Sequence, residues 1–155
     1  MDALPFQPAQ RLSLAPVQES DFPELAEIRV AAMRESLQAV GRFDPDRARE
    51  RLRANFDPSR TRFILSGEQK VGFYATRMDR DGLWLDHLYI LPAHQRCGMG
   101  SVILTGIIAE AKRQGLGVMV GALIGSASNR FYLSHGFRLT KRDEFDNYYY
   151  RPPDP

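Results

Sequence analysis

At 155 residues, with 43% hydrophobic and 26% charged side chains, the chain has the size and make-up of one globular domain rather than of a disordered or membrane protein. Its formal charge of +2, from 21 basic and 19 acidic residues spread along the chain, leaves no concentrated basic face for nucleic acid. No apolar run approaches the roughly 20 residues of a membrane span, and Cys97, the only cysteine, excludes an intramolecular disulfide and a thiolate metal cluster.

Met1 to Gln10 hold no basic region and no apolar core, so a secretory leader is not expected and a cytoplasmic setting is. Arg11 to Val17 alternates briefly and reads as a first strand. A helix is predicted from Asp21, whose carboxylate can cap it while Glu24 completes a capping box, up to Gly41. Leu25, Ile28 and Ala32 form one apolar stripe on it, and Met33, Leu37 and Val40 an adjacent one. Asp44-Pro45 starts a shorter helix in which Ala48, Leu52 and Phe56 share a face. Its Arg47, Arg49, Arg51 and Arg53 read as a solvated face, with contact to an anionic ligand as the alternative.

Strands are predicted over Arg62 to Leu65 and Lys70 to Arg77, joined by Ser66-Gly67-Glu68-Gln69. The turn Asp79-Arg80-Asp81-Gly82 leads to a third, Leu83 to Ile90, completing a meander. The strongest helical periodicity runs from Ser101 to Arg113, where Ile103, Ile107 and Ala111 share a face with Leu104 and Ile108, and Gln114-Gly115 ends it. A buried strand (Leu116 to Leu123), a short helix (Asn129 to His135), Gly136-Phe137 and an aromatic strand (Phe145 to Arg151) follow. The order β-α-α-β-β-β-α-β-α-β-β predicts an α+β fold with a mixed sheet. One domain is expected over residues 1–155, with its core at about 11–151.

Between the meander and the strongest helix stands Gln95-Arg96-Cys97-Gly98-Met99-Gly100. Glycines allow close backbone approach, and the first turn of a helix presents unpaired N–H groups at the positive end of its dipole. Strand, glycine turn and helix in that order predict an anion cradle for a phosphorylated cofactor, against a plain turn and helix start as the alternative. Cys97 is either a small residue in that turn or a thiol activated by the helix end.

These residues resemble the GNAT superfamily of acyl-CoA-dependent N-acetyltransferases. The hexapeptide fits the family pattern [Gln/Arg]-x-x-Gly-x-[Gly/Ala] after a strand of the form Leu-Asp-His-Leu-Tyr-Ile-x-Pro, and Phe131-Tyr132-x-x-x-Gly136-Phe137 is similar to the family's later motif. Element order extends the likeness from about Arg11 to Arg151. It implies a mostly antiparallel central sheet flanked by helices, with two central strands splayed to admit acetyl-CoA as co-substrate. By position, the main chain of Gln95, Arg96, Cys97, Gly98, Met99, Gly100 and Ser101 would hold the pyrophosphate. Main-chain groups of Leu88, Tyr89 and Ile90 would pair with the pantetheine arm. Arg96 stands where relatives often have glycine, pointing to phosphate or to water. Where many relatives have an asparagine before the motif tyrosine, this chain has Gly125 and Ser126, with Asn129 nearby as a further contact.

Acetyl transfer to an amine needs a base, stabilisation of an oxyanion and a proton for the departing thiolate. Tyr132 matches the family's general acid, and a backbone N–H around Leu88 would meet the oxyanion. Asp86 is the candidate base or amine-orienting group, His87 the alternative, and a structural role for both a third reading. Period-two alternation puts Trp84, Asp86, Leu88 and Ile90 on one face and Leu85, His87 and Tyr89 on the other, so both reach the cleft only if a bulge intervenes. His94 and His135 read as surface polar residues, and no spacing of ligand residues predicts a metal site.

The expected reaction is therefore N-acetylation of a primary amine, on a small molecule or peptide, by direct attack. Relatives often dimerise, so a homodimer is among the expectations; nucleic acid and membrane are not. Met33, Ser36, Phe43, Tyr148 and Tyr149 are candidate lining for the acceptor, and Asp86 with Glu35 or Asp146 hints at a cationic amine. A catalytically silent acyl-CoA sensor is the rival reading. A dinucleotide-binding domain is a weaker one, because Gly98-x-Gly100 lacks the third glycine, the Walker lysine and a repeating βαβ order.

Overall fold

The helix and strand signals named above are realised in a computed structural model that describes residues 11–153; residues 1–10, where no leader is expected, and the last two residues of the expected domain lie outside the described ones. The elements are β1 (Leu12–Pro16), α1 (Phe22–Ala39), α2 (Pro45–Ala54), β2 (Thr61–Ser66), β3 (Gln69–Asp79), β4 (Gly82–Ile90), α3 (Met99–Arg113), β5 (Val118–Leu123), α4 (Ala127–Ser134), β6 (Arg138–Arg142) and β7 (Asp146–Arg151). Asp44 caps α2 as expected, accepting from the Arg47 N–H at 3.2 Å. The capping box at α1 does not form. Asp21 instead accepts from the Gln18 N–H at 2.8 Å, inside a single turn that precedes the helix, and Glu24 pairs with Lys70 on β3.

The strands form one seven-stranded sheet in the order β1-β2-β3-β4-β5-β7-β6. Every neighbouring pair is antiparallel except β4 and β5, which the α3 crossover makes parallel. The result is the mixed, mostly antiparallel sheet expected. The β2–β3 turn is tighter than the four-residue stretch suggested, since Ser66 pairs with Gln69 and Gly67 takes a φ of +62°.

Two cores cover the sheet. Leu25, Ile28 and Leu52 of the early helices pack with Phe63 and Phe73. Leu104 and Ile107 of α3 and Tyr132 of α4 pack with Ile64, Leu85, Val118 and Val120. Consecutive residues Phe63 and Ile64 fall in different cores because β2 alternates its faces. Each fully buried side chain such as Leu104 or Phe73 contributes about 1.5–3 kcal/mol of apolar burial. Gly72 lets β3 lie close against β4: a Cβ there would fall 2.1 Å from the Tyr89 carbonyl oxygen.

Candidate active site

β4 and β5 pair over Leu83–Val118, Trp84–Met119 and Leu85–Val120, and then separate. Beyond that point β4 runs to Ile90 and β5 to Leu123 with nothing between them but a cleft of about 820 Å³. The separation starts at a bulge. On β3, Ala75 faces His87 while Thr76 faces Leu85, so Asp86 has no partner across the ladder. An extra residue bends its strand and resets the alternation.

The reset corrects the expected faces. Leu85 does not share a side with His87 and Tyr89; it packs toward α3 together with Leu88 and Ile90, whereas Tyr89 packs toward α1. Asp86 and His87 both line the cleft.

Their environments differ. Asp86 accepts from Arg77 Nε at 3.1 Å through Oδ1 and lies 3.0 Å from it through Oδ2. Burial raises its pKa above the ordinary carboxylate value, and the Arg77 charge and hydrogen bond only partly oppose that. His87 packs on Phe73 and Tyr89, with Nδ1 3.2 Å from the Tyr89 hydroxyl, which itself accepts from Arg29 Nε at 3.2 Å. Burial first, and then the Arg29 charge, push His87 down to about 3. Burial thus acts oppositely on the two, weakening His87 as a base and strengthening Asp86.

The same shift has a stability consequence. Between pH 6.5 and about 3 the unfolded chain protonates His87 and the folded chain does not, so His87 contributes stability above pH 6.5 that is lost as pH falls through this window. Calorimetric melting of the wild type is expected to show a steeper fall in Tm across that range than His87→Gln. Parallel curves for the two proteins would remove His87 from the acid response.

Tyr132 reaches the cleft from α4, packed among Phe131, Phe137 and Tyr149 at centroid distances of 5.4, 5.5 and 6.3 Å. It is only 6% exposed, and burial, then Tyr89, raise its pKa so that it holds its proton. Its hydroxyl bonds to no described residue, yet among the described residues no buried side-chain oxygen or nitrogen is left unsatisfied, so that hydroxyl opens onto the cleft that Tyr132 lines. Ser126 also lines the cleft. Asn129 does not. Its Nδ2 donates to the carbonyls of Leu123 and Ser126, and its Oδ1 accepts from Asn147 and Tyr149, so the amide ties β5, α4 and β7 together.

The glycine turn closes the other end. Gly98, at φ +90°, is the N-cap of α3, and its carbonyl accepts the first bond of that helix from the Val102 N–H at 3.1 Å. Gln95 donates its N–H to Pro92 and its side-chain Nε2 to the Ile90 carbonyl at 2.8 Å. The run of unpaired donors therefore begins at Arg96: the N–H groups of residues 96 to 101 find no acceptor among the described residues. Cys97 Sγ donates to the His94 carbonyl at 2.8 Å and closes the turn. Arg96 takes φ +64°, a left-handed conformation that favours glycine, and its side chain is exposed. A run of free donors at a helix N-terminus, with no side chain at residues 98 and 100, fits a diphosphate.

The sequence profile described as an acetyltransferase (GNAT) domain matches residues 58–139, more than half of the chain and the whole span from β2 through α4. The chain belongs to the GNAT acetyltransferase family. Solved structures share the fold. An acetyltransferase from Thermus thermophilus aligns at 22% identity over 91% of this chain and 96% of its own, with a TM-score of 0.73. The PaiA N-acetyltransferase of Thermoplasma acidophilum, solved with coenzyme A, aligns at 14% identity over 92% and 99%, with a TM-score of 0.71. The ribosomal-protein-S18-alanine N-acetyltransferase of Escherichia coli aligns at 17% identity over 94% and 96%, also at 0.71. No curated protein matches the sequence.

As in a GNAT domain, the motifs of β4, the glycine turn and α4 lie in the matched span, while α1, α2 and β7 lie outside it. Those outer elements supply the rest of the cleft. Met33, Ser36, Phe43, Tyr148 and Asp146 line it as expected; Tyr149 and Glu35 do not, and Tyr149 is buried against Asn129. Sequence reasoning missed Arg77, Arg29 and the Tyr89 hydroxyl. Arg29 carried a signal, since Leu25, Arg29 and Met33 are spaced four apart on one side of α1. Among the described residues no cluster of ligand side chains could hold a metal, and no helix is long and apolar enough to cross a membrane.

Proposed function

We propose that this acetyltransferase is an N-acetyltransferase that uses acetyl-CoA to acetylate a primary amine by direct attack in the cleft between β4 and β5. One observation carries the reading: the unpartnered hydroxyl of buried Tyr132 opens into the same cleft that is bounded by the bulged Asp86. Acetyl-CoA supplies an activated acyl carbon with a thiolate leaving group.

The chain's own groups then divide the work. The N–H groups from Arg96 to Ser101 bind the diphosphate, with Gly98 and Gly100 keeping the approach clear. Residues Leu88 to Ile90 lie on the length of β4 that β5 leaves unpaired, an edge suited to an added extended chain. Asp86 takes the amine proton, directly or through water, because burial makes it a stronger base than a surface aspartate while Arg77 fixes its orientation. Tyr132 donates the proton to the leaving sulfur, its high pKa keeping that proton available at neutral pH.

Acetyl-CoA binding by calorimetry, combined with thiol-reagent detection of coenzyme A released in the presence of amines, tests this. Binding and amine-dependent release are expected. Binding without release for any amine would favour the sensor reading, and absence of binding would refute both.

A further inference from the structure

We propose that the acceptor amine also bears an oxyanion, a carboxylate or a phosphate, held by Arg29, Arg47 and Arg51 on the α1–α2 side of the cleft. This rests on the acetyl-transfer reading above and specifies its substrate class. The expectation of a cationic amine, drawn from acidic residues, is thereby reversed.

Arg29 is the central observation. It is 7% exposed and lines the cleft, yet its polar partners are neutral: Nε donates to the Tyr89 hydroxyl and Nη1 to the Ala48 carbonyl, with the Tyr89 ring 5.8 Å from its guanidinium carbon. No carboxylate of the described residues lies within 4 Å of it. A buried cation without a counter-ion is unfavourable, and an anion arriving with the acceptor supplies the missing charge.

The arginines of α2 divide in the same sense. Arg49 pairs with Glu27 and Asp46, and Arg53 with Glu19. Arg47 and Arg51, one turn apart on the opposite side of the helix, line the cleft and form no ion pair among the described residues.

The acidic lining does not cancel them. Asp86 is matched by Arg77, and Asp44 caps α2. Asp146 makes no ion pair within 4 Å among the described residues; burial and Asp143 raise its pKa, and Arg51 and Arg42 lower it. Planar guanidinium forks bind carboxylate and phosphate alike. These three arginines also lie outside the span matched by the family profile, on α1 and α2.

The test compares acceptors in matched pairs: the common amino acids against their carboxamides, and phosphoethanolamine against ethanolamine, with spermidine as a cationic comparison. The best anionic amine is expected to exceed its neutral twin by about tenfold or more in kcat/KM, and the better pair identifies the oxyanion. In Arg47→Ala and Arg51→Ala the KM for that acceptor should rise about tenfold, with kcat changing less and the gap to the neutral twin narrowing.

Equal use of the twins, preference for spermidine, or no turnover of any anionic amine overturns the proposal. So does a rise in the acetyl-CoA dissociation constant of the two variants in place of the acceptor KM, since the arginines would then serve the co-substrate. Failure of the wild type to bind acetyl-CoA at all is a separate result that removes the acetyl-transfer reading itself.

Discussion

Replacing Tyr132 by phenylalanine is expected to lower kcat by roughly 10²- to 10⁴-fold, the range for loss of a single general acid, with acetyl-CoA affinity little changed. The ring is held by Phe131, Phe137 and Tyr149, so the phenyl group keeps its packing. The hydroxyl bonds to nothing among the described residues, so its removal breaks no internal hydrogen bond there and Tm should hold. Chemistry and stability are thus separable at this position. Coenzyme A release under saturating substrates measures the first effect, and calorimetric titration and melting measure the other two. Undiminished turnover in a well-folded Tyr132→Phe protein would take this residue out of the reaction.

The parts of the cleft that were legible from sequence are those set by local spacing. The four-residue periodicity of Ile103, Ile107 and Ala111 places α3, and Gly98 and Gly100 at its start mark a turn that lets the backbone approach an anion. The meander of β2, β3 and β4 emerged from turn residues and alternation in the same local way. What stayed hidden depends on how strands meet. The bulge at Asp86 arises from the register of β4 against β3, and nothing in Leu-Asp-His-Leu announces it; strict alternation therefore put Leu85 on the wrong side. The roles of the four arginines of α2 were hidden for a similar reason. Helical spacing separates Arg47 and Arg51 from Arg49 and Arg53, but only the placement of Glu27, Glu19 and the cleft shows which pair is neutralised and which is not. Asn129 illustrates the converse. A polar residue close to a binding motif invited a ligand role, and packing brought Leu123, Ser126, Asn147 and Tyr149 around its amide instead.

Gly98→Val is expected to weaken acetyl-CoA binding by about tenfold or more, because this glycine does two things at once. Its φ of +90° turns the chain from the Cys97 loop into α3, a conformation that costs a residue with a Cβ about 1–2 kcal/mol and a β-branched one more. Relief of that strain requires the loop to rotate, which redirects the free N–H groups of residues 96 to 101 away from a common point. The neighbouring glycine provides the control. At Gly100 the backbone is already helical, and an added Cβ would meet only the edge of the Phe131 ring at 3.4 Å, so Gly100→Ala keeps the turn and tests close approach by itself. A graded loss, large for Gly98→Val and smaller for Gly100→Ala, is the expected titration result, with α3 still folded because Ile103, Leu104 and Ile107 hold it to the sheet. Wild-type affinity in a folded Gly98→Val protein would mean that the diphosphate is bound elsewhere, and the assignment of the cradle would fall with it.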